Sequence, residues 1–239
     1  YKGRFAGTCS HVGGYSLNYH KHIHTGEGGI LVTDDDGIAD RLRLIRNHAE
    51  AVVGDMGFTD LRNMLGYNFR LGEIESAIGS QQLTKLSRFV EGRQHVAARL
   101  TAGLTALDGV RLPVIKADCT HVYYVYPIVL DTDRIGVSRA KLIAALEAEG
   151  VPGLAAGYAN VHMLPIYQQK IAYGSKGFPW SSDICRRDVS YAKGICPVAE
   201  RLHDETFLEF QICLHELPDE DVDLVVSAFQ KVWNARAQL

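Results

Sequence analysis

Short apolar runs of strand type alternate along this chain with longer segments of helical periodicity, and this alternation is its strongest constraint on the fold. Runs rich in β-branched and aromatic residues indicate strands, whereas apolar residues that recur at helical spacing indicate helices. The predicted strands cover residues 14–19, 29–33, 121–130 and 207–214. The predicted helices cover residues 38–48, 72–107 (more than one helix), 138–149 and 218–237. The pattern predicts an α/β protein.

The chain is long enough for two α/β units, and the second is expected to begin near Gly109. With 239 residues, 46% of them hydrophobic, it can bury a substantial core. A glycine turn at residues 25–29 separates the first two predicted strands, which indicates a hairpin-like pair. Long helices should join the two units, and a loop is expected around residues 54–64.

Charge and composition point to small molecules and other protein chains as partners. The net charge of −3 and the pI near 6.4 provide no electrostatic footprint for nucleic acid or for an anionic membrane. No apolar stretch approaches the roughly 18 residues of a membrane span, and the N-terminus lacks a signal-peptide pattern. Five cysteines without a C-x-x-C pair indicate reduced thiols, so a cytoplasmic protein is expected.

Lys21 is the first candidate for chemistry. It ends an apolar strand-like run and precedes the glycine turn, with Ser16 five residues upstream. A lysine shielded from solvent is suited to form an imine with a carbonyl cofactor, although most lysines are solvated surface residues. The Ser16 hydroxyl could bind an anionic phosphate, and the glycines of the turn allow close backbone approach. This arrangement indicates a pyridoxal-phosphate (PLP) protein.

Three histidines beside Lys21 raise the alternative of a metal site. His20, His22 and His24 would face one side of a strand. No nearby triplet of Cys, Asp or Glu completes a ligand shell, and three histidines of one extended segment rarely converge on one ion. A structural or substrate-facing role is favoured for these histidines, and no metal is expected.

Two blocks of sequence resemble the DegT/DnrJ/StrS family of PLP-dependent sugar aminotransferases. Residues 16–29 match the S-x-x-x-x-K-x-x-x-T-G-E-G-G pattern, in which the lysine, here Lys21, carries the cofactor. Residues 65–79 follow in the family's order and resemble the G-Y-N-Y-R-M-x-E-I-x-A-A-I-G stretch. Two such blocks in order make the resemblance specific.

Weaker matches extend the resemblance over nearly the whole chain. Residues 46–48 resemble the R-N-H-G turn, with Ala49 in place of the glycine. Residues 161–167 resemble the P-L-H-L-Q-P-x-Y segment, and residues 197–202 resemble the P-x-A-E-R-L helix. Residues 210–216 depart from the common L-P-x-H ending, which leaves the substrate subclass open.

The resemblance implies the fold of PLP-dependent transferases of type I, which is the aspartate-aminotransferase-like α/β fold. Residues 1–108 would form the C-terminal part of the large PLP-binding domain with its connecting helices, and residues 109–239 a small C-terminal α/β domain. The family's E-D-A-A-Q-like segment, whose acidic residue pairs with the pyridine nitrogen, has no match here. The intact protein is therefore expected to carry that segment upstream of Tyr1.

The resemblance also implies roles for five residues. Lys21 would form an imine with PLP and then move a proton between cofactor and substrate. Ser16 would hold the cofactor phosphate. Asn68 would reach the phosphate bound by the neighbouring subunit, which implies a homodimer with shared active sites. His162 and Arg70 would lie near the substrate.

The implied activity is transfer of an amino group from glutamate to a nucleotide-linked keto-sugar. Such a reaction belongs to deoxyamino-sugar, surface-polysaccharide or antibiotic biosynthesis. Two alternatives remain open. One is a sugar dehydratase of the same family, which has histidine where this sequence has Lys21, and the other is an inactive member with a regulatory role. Lys21 favours the aminotransferase over the dehydratase.

Overall fold

Two short strands near the start of the chain form an antiparallel hairpin. In the computed structural model, which describes residues 1–50, 57, 61 and 64–239, β1 spans Gly13–Ser16 and β2 spans Gly29–Val32. Ser16 pairs with Gly29 at the closed end, so the predicted hairpin-like pair is confirmed. The first strand ends three residues earlier than predicted because the chain turns after Leu17, whose amide donates to the Gly28 carbonyl at 2.9 Å.

Three helices follow, and they agree with the helical periodicity of the sequence. Helix α1 spans Asp36–Arg46, and the Asp35 carboxylate caps it by accepting a hydrogen bond from the Ile38 amide at 2.9 Å. Helices α2 and α3 span Glu73–Leu83 and Leu86–Leu104, which confirms that residues 72–107 contain more than one helix. Most of the loop predicted around residues 54–64 lies outside the described residues.

The rest of the chain contributes four strands and five helices among the described residues. In chain order they are β3 (Val110–Arg111), β4 (Tyr126–Leu130), α4 (Thr132–Ile135), α5 (Arg139–Ala148), β5 (Leu154–Ala155), α6 (Pro165–Gln168), α7 (Pro197–Arg201), β6 (Phe207–Phe210) and α8 (Asp219–Ala235). Short 3-10 helices cover Ala6–Thr8, Val161–Met163 and Arg236–Gln238, and α7 continues into a π-helical turn at Leu202–Thr206.

These four strands form one antiparallel sheet in the order β3-β4-β6-β5. Tyr126 pairs with Phe210, and Ile128 pairs with Leu208, at the centre of the sheet. The α5 helix begins after Ser138, whose hydroxyl accepts from the Lys141 amide, and it ends before Gly150 at φ 89°. These caps confirm the helix predicted over residues 138–149.

Two strands are shorter than the sequence predicts. The strand predicted over residues 121–130 begins only at Tyr126, because Tyr123 has a left-handed backbone conformation with φ 52° that no strand can contain. The strand predicted over residues 207–214 ends at Phe210, since the Ile212 amide turns back to the Phe210 carbonyl at 3.0 Å. In both places apolar residues are buried without continuing the strand.

Alternate residues of β4 and one face of α8 supply much of the core around this sheet. Tyr126, Ile128 and Leu130 are at most 1% exposed. The buried residues of α8 are Val222, Val225, Ala228, Phe229, Val232 and Trp233. A Cβ added at Gly103 of α3 would lie 2.5 Å from Cγ1 of Val226, so glycine permits the close approach of α3 and α8. Each fully buried large apolar side chain contributes about 1.5–3 kcal/mol.

Two compact units make up the chain. The first contains Tyr1–Gln94 together with Ile115–Tyr124, and the second contains His95–Val114 together with Val125–Leu239. The predicted division at residue 108 into a large cofactor domain and a small domain stays a prediction. None of the helices in the described part of the chain is long and apolar enough to cross a membrane.

Candidate active site

A closed loop between β1 and β2 carries Lys21. The Thr25 amide donates to the Leu17 carbonyl at 3.0 Å, and both side chains are buried. The Asn18 side-chain amide donates to Oε1 of Glu27 at 2.8 Å across the loop. A Cβ added at Gly28 would lie 2.7 Å from the Thr25 hydroxyl oxygen, so the loop closes this tightly only with glycine there.

Ser16 is the last residue of β1 and its side chain is exposed. Its hydroxyl oxygen accepts a hydrogen bond from the Asn18 amide at 3.2 Å. A hydroxyl has one proton to donate as well as two acceptor positions, so Ser16 keeps its donor for a further group. Ser16, which is predicted to bind the phosphate, therefore lies at the start of the Lys21 loop with its hydroxyl proton available as a hydrogen-bond donor.

The Lys21 side chain lies over an aromatic ring. Its Nζ is 4.0 Å from the ring centroid of Tyr124, which is cation–π geometry, and the residue is half-buried. Among the described residues no carboxylate forms an ion pair with Lys21. Sequence reasoning missed Tyr124 because it lay inside a predicted strand. The sequence shows that residues 121–126 are rich in aromatic residues, but it does not show which of these rings contacts Lys21.

His22 connects the Lys21 loop to the segment that carries Tyr124. Its ring nitrogen Nε2 lies 2.5 Å from the Val122 carbonyl oxygen, and this contact requires Nε2–H as the donor. Burial lowers the pKa of His22, the contact with Val122 opposes that shift, and the charges of Arg93 and Lys21 lower the pKa further. His22 is therefore neutral at neutral pH and acts as a structural hydrogen-bond donor.

The alternative of a metal site finds no support within the described residues. They contain no group of three His, Cys, Asp or Glu side chains that could hold a metal ion. His22 is used by the Val122 carbonyl, and Nδ1 of His24 accepts from the Gly26 amide at 3.3 Å.

Asn68 lies in a segment that pairs with the end of α1. The Tyr67 amide donates to the Ile45 carbonyl at 2.8 Å, and Asn68 forms an isolated bridge with Asn47. Arg70 donates through Nη1 to Oδ1 of Asn47 at 2.6 Å. Asn68 and Arg70 are both exposed, and the first unit contains them together with Ser16 and Lys21.

The turn at the end of α1 packs against the same segment. His48 and Ala49 have left-handed backbone conformations, with φ 63° and φ 57°. A Cβ added at Gly66 would lie 2.0 Å from the carbonyl carbon of His48, so only glycine fits there. The blocks 46–49 and 65–70, separate in the sequence, are thus one structural feature.

His162 lies in the second unit, where it is paired with a buried carboxylate. Its Nε2 is 2.9 Å from Oε1 of Glu200, and the two side chains are 12% and 7% exposed. Glu200 also accepts hydrogen bonds from the Gly194 amide, at 2.7 Å to Oε2, and from the Cys196 amide at 3.2 Å. Sequence reasoning recognised Glu200 only as part of a helix, because nothing in the sequence pairs it with His162.

Burial and hydrogen bonding act in opposite directions on Glu200. Burial raises the pKa of its carboxyl group, whereas hydrogen bonds from the Gly194 and Cys196 amides and from His162 lower it. The net pKa lies below the ordinary value of 4.5. Glu200 is therefore ionised at neutral pH, and its charge holds the His162 ring in one orientation.

The residues of the first unit fit PLP by the chemistry of their donors. An imine to the cofactor aldehyde needs an amine such as that of Lys21, which no described carboxylate holds in an ion pair. A phosphate needs hydrogen-bond donors, and the hydroxyl of Ser16 and the exposed amide of Asn68 both supply one.

A solved relative defines the class to which this fold belongs. DesV of S. venezuelae, solved in complex with a ketimine intermediate, matches the chain with a TM-score of 0.75 and 25% sequence identity. The match covers 98% of this chain and 54% of DesV. The chain has the mixed α/β fold of type I PLP-dependent transferases, so the predicted fold class is confirmed.

Residues 1–207 match the sequence model of the DegT/DnrJ/EryC1/StrS aminotransferase family, and the chain belongs to this family. The predicted resemblance is thereby confirmed. The spore coat polysaccharide biosynthesis protein SpsC of Bacillus subtilis is 27% identical over 196 residues, which cover 80% of this chain and 50% of SpsC.

A second curated relative is the dTDP-3-amino-3,4,6-trideoxy-alpha-D-glucose transaminase of Micromonospora megalomicea. It is 37% identical over 130 residues, which cover 53% of this chain and 33% of that enzyme. The matched regions thus span half the length of SpsC and a third of this transaminase.

Proposed function

We propose that this protein is a PLP-dependent aminotransferase that moves an amino group from glutamate to a nucleotide-linked keto-sugar. The observation that carries the proposal is Lys21, which is half-buried in a closed loop and has no carboxylate partner among the described residues. Its sequence surroundings resemble those of the family's cofactor lysine. The names of the two curated relatives, one in polysaccharide biosynthesis and one a transaminase of a dTDP-sugar, support a deoxyamino-sugar product for a surface polysaccharide or an antibiotic.

Each residue of the first unit has a defined task in this proposal. When bound, PLP supplies the electron sink that allows a carbon next to the amine to lose its proton. Lys21 holds the cofactor through its amine, and when that amine is free it takes up the proton and returns it. The Ser16 hydroxyl, whose proton is not needed by Asn18, donates to the phosphate.

An exposed apolar surface around Asn68 supports a homodimer with shared sites. Helix α2 has no buried residue, and Ile74 on it is 75% exposed. Leu65 and Phe69, on either side of Asn68, are 72% and 66% exposed. An apolar surface of this kind is typical of an interface. We assign it to a second copy of the protein, into whose site Asn68 would reach.

Arg70 and His162 are assigned to the substrate. One guanidinium nitrogen of Arg70 is used by Asn47, which fixes the side chain and leaves further N–H groups for an anionic part of the substrate. Glu200 orients His162 through Nε2, so Nδ1 is the ring atom left for substrate. We place the reaction in the cytoplasm, because five free cysteines are typical of a reducing compartment.

The test uses the full-length protein with glutamate and a panel of keto-sugars, with and without an attached nucleotide. Release of 2-oxoglutarate with one of these sugars is the expected result. A visible absorbance band from bound PLP should be present in the wild type and in the Lys85→Ala control, which alters an exposed lysine. In Lys21→Ala both the band and the release of 2-oxoglutarate should be lost.

The same experiment separates the alternatives. Loss of a sugar hydroxyl without amino-sugar formation would indicate a dehydratase. Wild-type activity in Lys21→Ala, or no PLP bound to the wild type, would contradict the proposed function.

A further inference from the structure

The ring beneath Lys21 belongs to a short segment whose conformation is tightly held. Tyr124 is half-buried, and it follows Tyr123, which is 6% exposed and has a left-handed backbone with φ 52°. Residues other than glycine rarely adopt this conformation, because the Cβ atom crowds the following carbonyl group. The surrounding contacts must therefore stabilise it.

Hydrogen bonds on both sides supply that stabilisation. The Tyr123 amide donates to Nδ1 of His121 at 2.9 Å. The Gln94 side chain donates to the His121 carbonyl at 3.0 Å. His22, adjacent to Lys21, is bound to the Val122 carbonyl at 2.5 Å. The segment 121–124 is thus fixed to the α3 helix on one side and to the Lys21 loop on the other.

This arrangement gives the Lys21 amine a defined position. A free lysine side chain has about 2 kcal/mol of rotamer entropy and an ammonium group that water solvates strongly. No carboxylate among the described residues holds it, yet its Nζ lies 4.0 Å from the Tyr124 ring centroid. The negative face of an aromatic ring attracts an ammonium group without the stronger hold of an ion pair.

We propose that Tyr124 is a positioning residue, whose ring holds the amine of Lys21 whenever that amine is not bonded to the cofactor. The inference rests on the proposed role of Lys21. The fixed segment 121–124, predicted to be part of a strand, would thus hold the Tyr124 ring in place beneath Lys21. A carboxylate in the same place would hold the amine in a strong ion pair. The ring holds the amine more weakly, so the amine can still move away to bond to the cofactor.

The first experiment observes the contact without PLP or substrate. The lysines of the cofactor-free, full-length protein are converted to ¹³C-dimethyl-lysine, which keeps the charge, and Lys21→Arg identifies the Lys21 signal by NMR. The expected result is an upfield ring-current shift of this signal relative to exposed Lys85. The shift should persist in Tyr124→Phe and be lost in Tyr124→Leu. A Lys21 signal that coincides with that of Lys85 in the wild type would overturn the proposal, whatever the activity.

The second experiment measures catalysis. In Tyr124→Leu we expect kcat to fall by about tenfold with little change in KM, the loss expected for one cation–π contact. Tyr124→Phe should restore most of kcat, because the ring and not the hydroxyl makes the contact. Tyr173→Leu removes an exposed tyrosine elsewhere and should behave as the wild type. Failure of Phe to restore kcat would contradict a role for the ring face.

The variants also separate this inference from the proposed function. If Lys21→Ala retains activity while the ring-current shift is present, the proposed function fails and the contact stands. If Tyr124→Leu does not fold, as judged by circular dichroism, the wild-type and Tyr124→Phe spectra still decide whether the ring holds the amine.

Discussion

Nε2 of His162 lies 2.9 Å from Oε1 of Glu200, although the two residues are 38 positions apart in the chain. The carboxylate also accepts hydrogen bonds from the backbone amides of Gly194 and Cys196, which precede α7. One buried charge therefore joins the short helix that carries His162 to a second segment. Removal of that charge would release both the histidine ring and the two amides.

We expect Glu200 to make the free energy of unfolding depend on pH in the acid range. Burial raises the pKa of Glu200, but its hydrogen bonds lower it to a net value below the ordinary 4.5. Its contribution to stability is present above pH 4.5 and is lost as the pH falls through the lower folded-state pKa. Urea unfolding of wild type and Glu200→Gln from neutral to acid pH measures this, with a smaller acid-side loss expected in the variant.

Exposed Glu147 on α5 supplies the control, because Glu147→Gln makes the same chemical change at a solvated position of the same unit. It should follow the wild-type pH dependence. If Glu200→Gln also loses stability with acid as steeply as the wild type, another carboxyl group is responsible.

Two glycine-to-alanine substitutions should change stability in opposite directions. In Gly66→Ala the new Cβ would lie 2.0 Å from the carbonyl carbon of His48, so the backbone must move, and we expect a loss of about 3 kcal/mol or more. In Gly92→Ala the new Cβ meets nothing within 4 Å inside helix α3, and a gain of up to about 1 kcal/mol is expected. Chemical denaturation measures both values, and a Gly66→Ala protein as stable as the wild type would exclude the close packing of the two segments.

Ala49 occupies a position suited to glycine. Its φ of 57° is left-handed, which costs a residue with a Cβ roughly 1–2 kcal/mol, partly offset in glycine by greater unfolded-state freedom. We expect Ala49→Gly to stabilise the protein by about 0.5–1 kcal/mol. Ala98→Gly at an exposed position in α3 is the control and should destabilise by about 1 kcal/mol. Thermal unfolding that shows the same sign for both variants would contradict the prediction.

Shared active sites can be tested by mixing two inactive variants. Lys21→Ala and Asn68→Ala should each have little activity alone. If Asn68 serves the neighbouring subunit, half of a randomly mixed population is heterodimer with one intact site of two, which restores about a quarter of wild-type activity. Turnover of the co-refolded mixture measures this. A mixture as inactive as its components would place Lys21 and Asn68 in a site formed by one subunit.

Local chemistry made several elements predictable. The Ser138 cap of α5 and the glycine after it act through hydrogen bonds between near neighbours, so their effect is visible in the sequence. The same holds for the hairpin, since a glycine turn between two apolar runs constrains their pairing. The family blocks that contain Lys21 and Asn68 were also recognisable, because each is contiguous.

Two predicted strands were too long for a reason that local patterns do not contain. Residues 122–125 are apolar or aromatic, but Tyr123 is buried in a left-handed conformation. Its amide donates to His121, and the adjacent carbonyls of His121 and Val122 are bound by Gln94 and His22. Tyr123 is thus buried although it pairs with no strand, since β4 begins only at Tyr126. Hydrophobic periodicity does not distinguish a buried strand from a buried irregular segment.

The sequence by itself determined the α/β class, most of the helices and the lysine around which the proposed chemistry is built. Only the tertiary structure decided what surrounds that lysine and what orients His162. Tyr124 reaches Lys21 across 102 intervening residues, and Glu200 reaches His162 from another helix. Contacts of this kind depend on the path of the folded chain, because side chains distant in sequence meet only after the hydrogen bonds between segments have fixed that path.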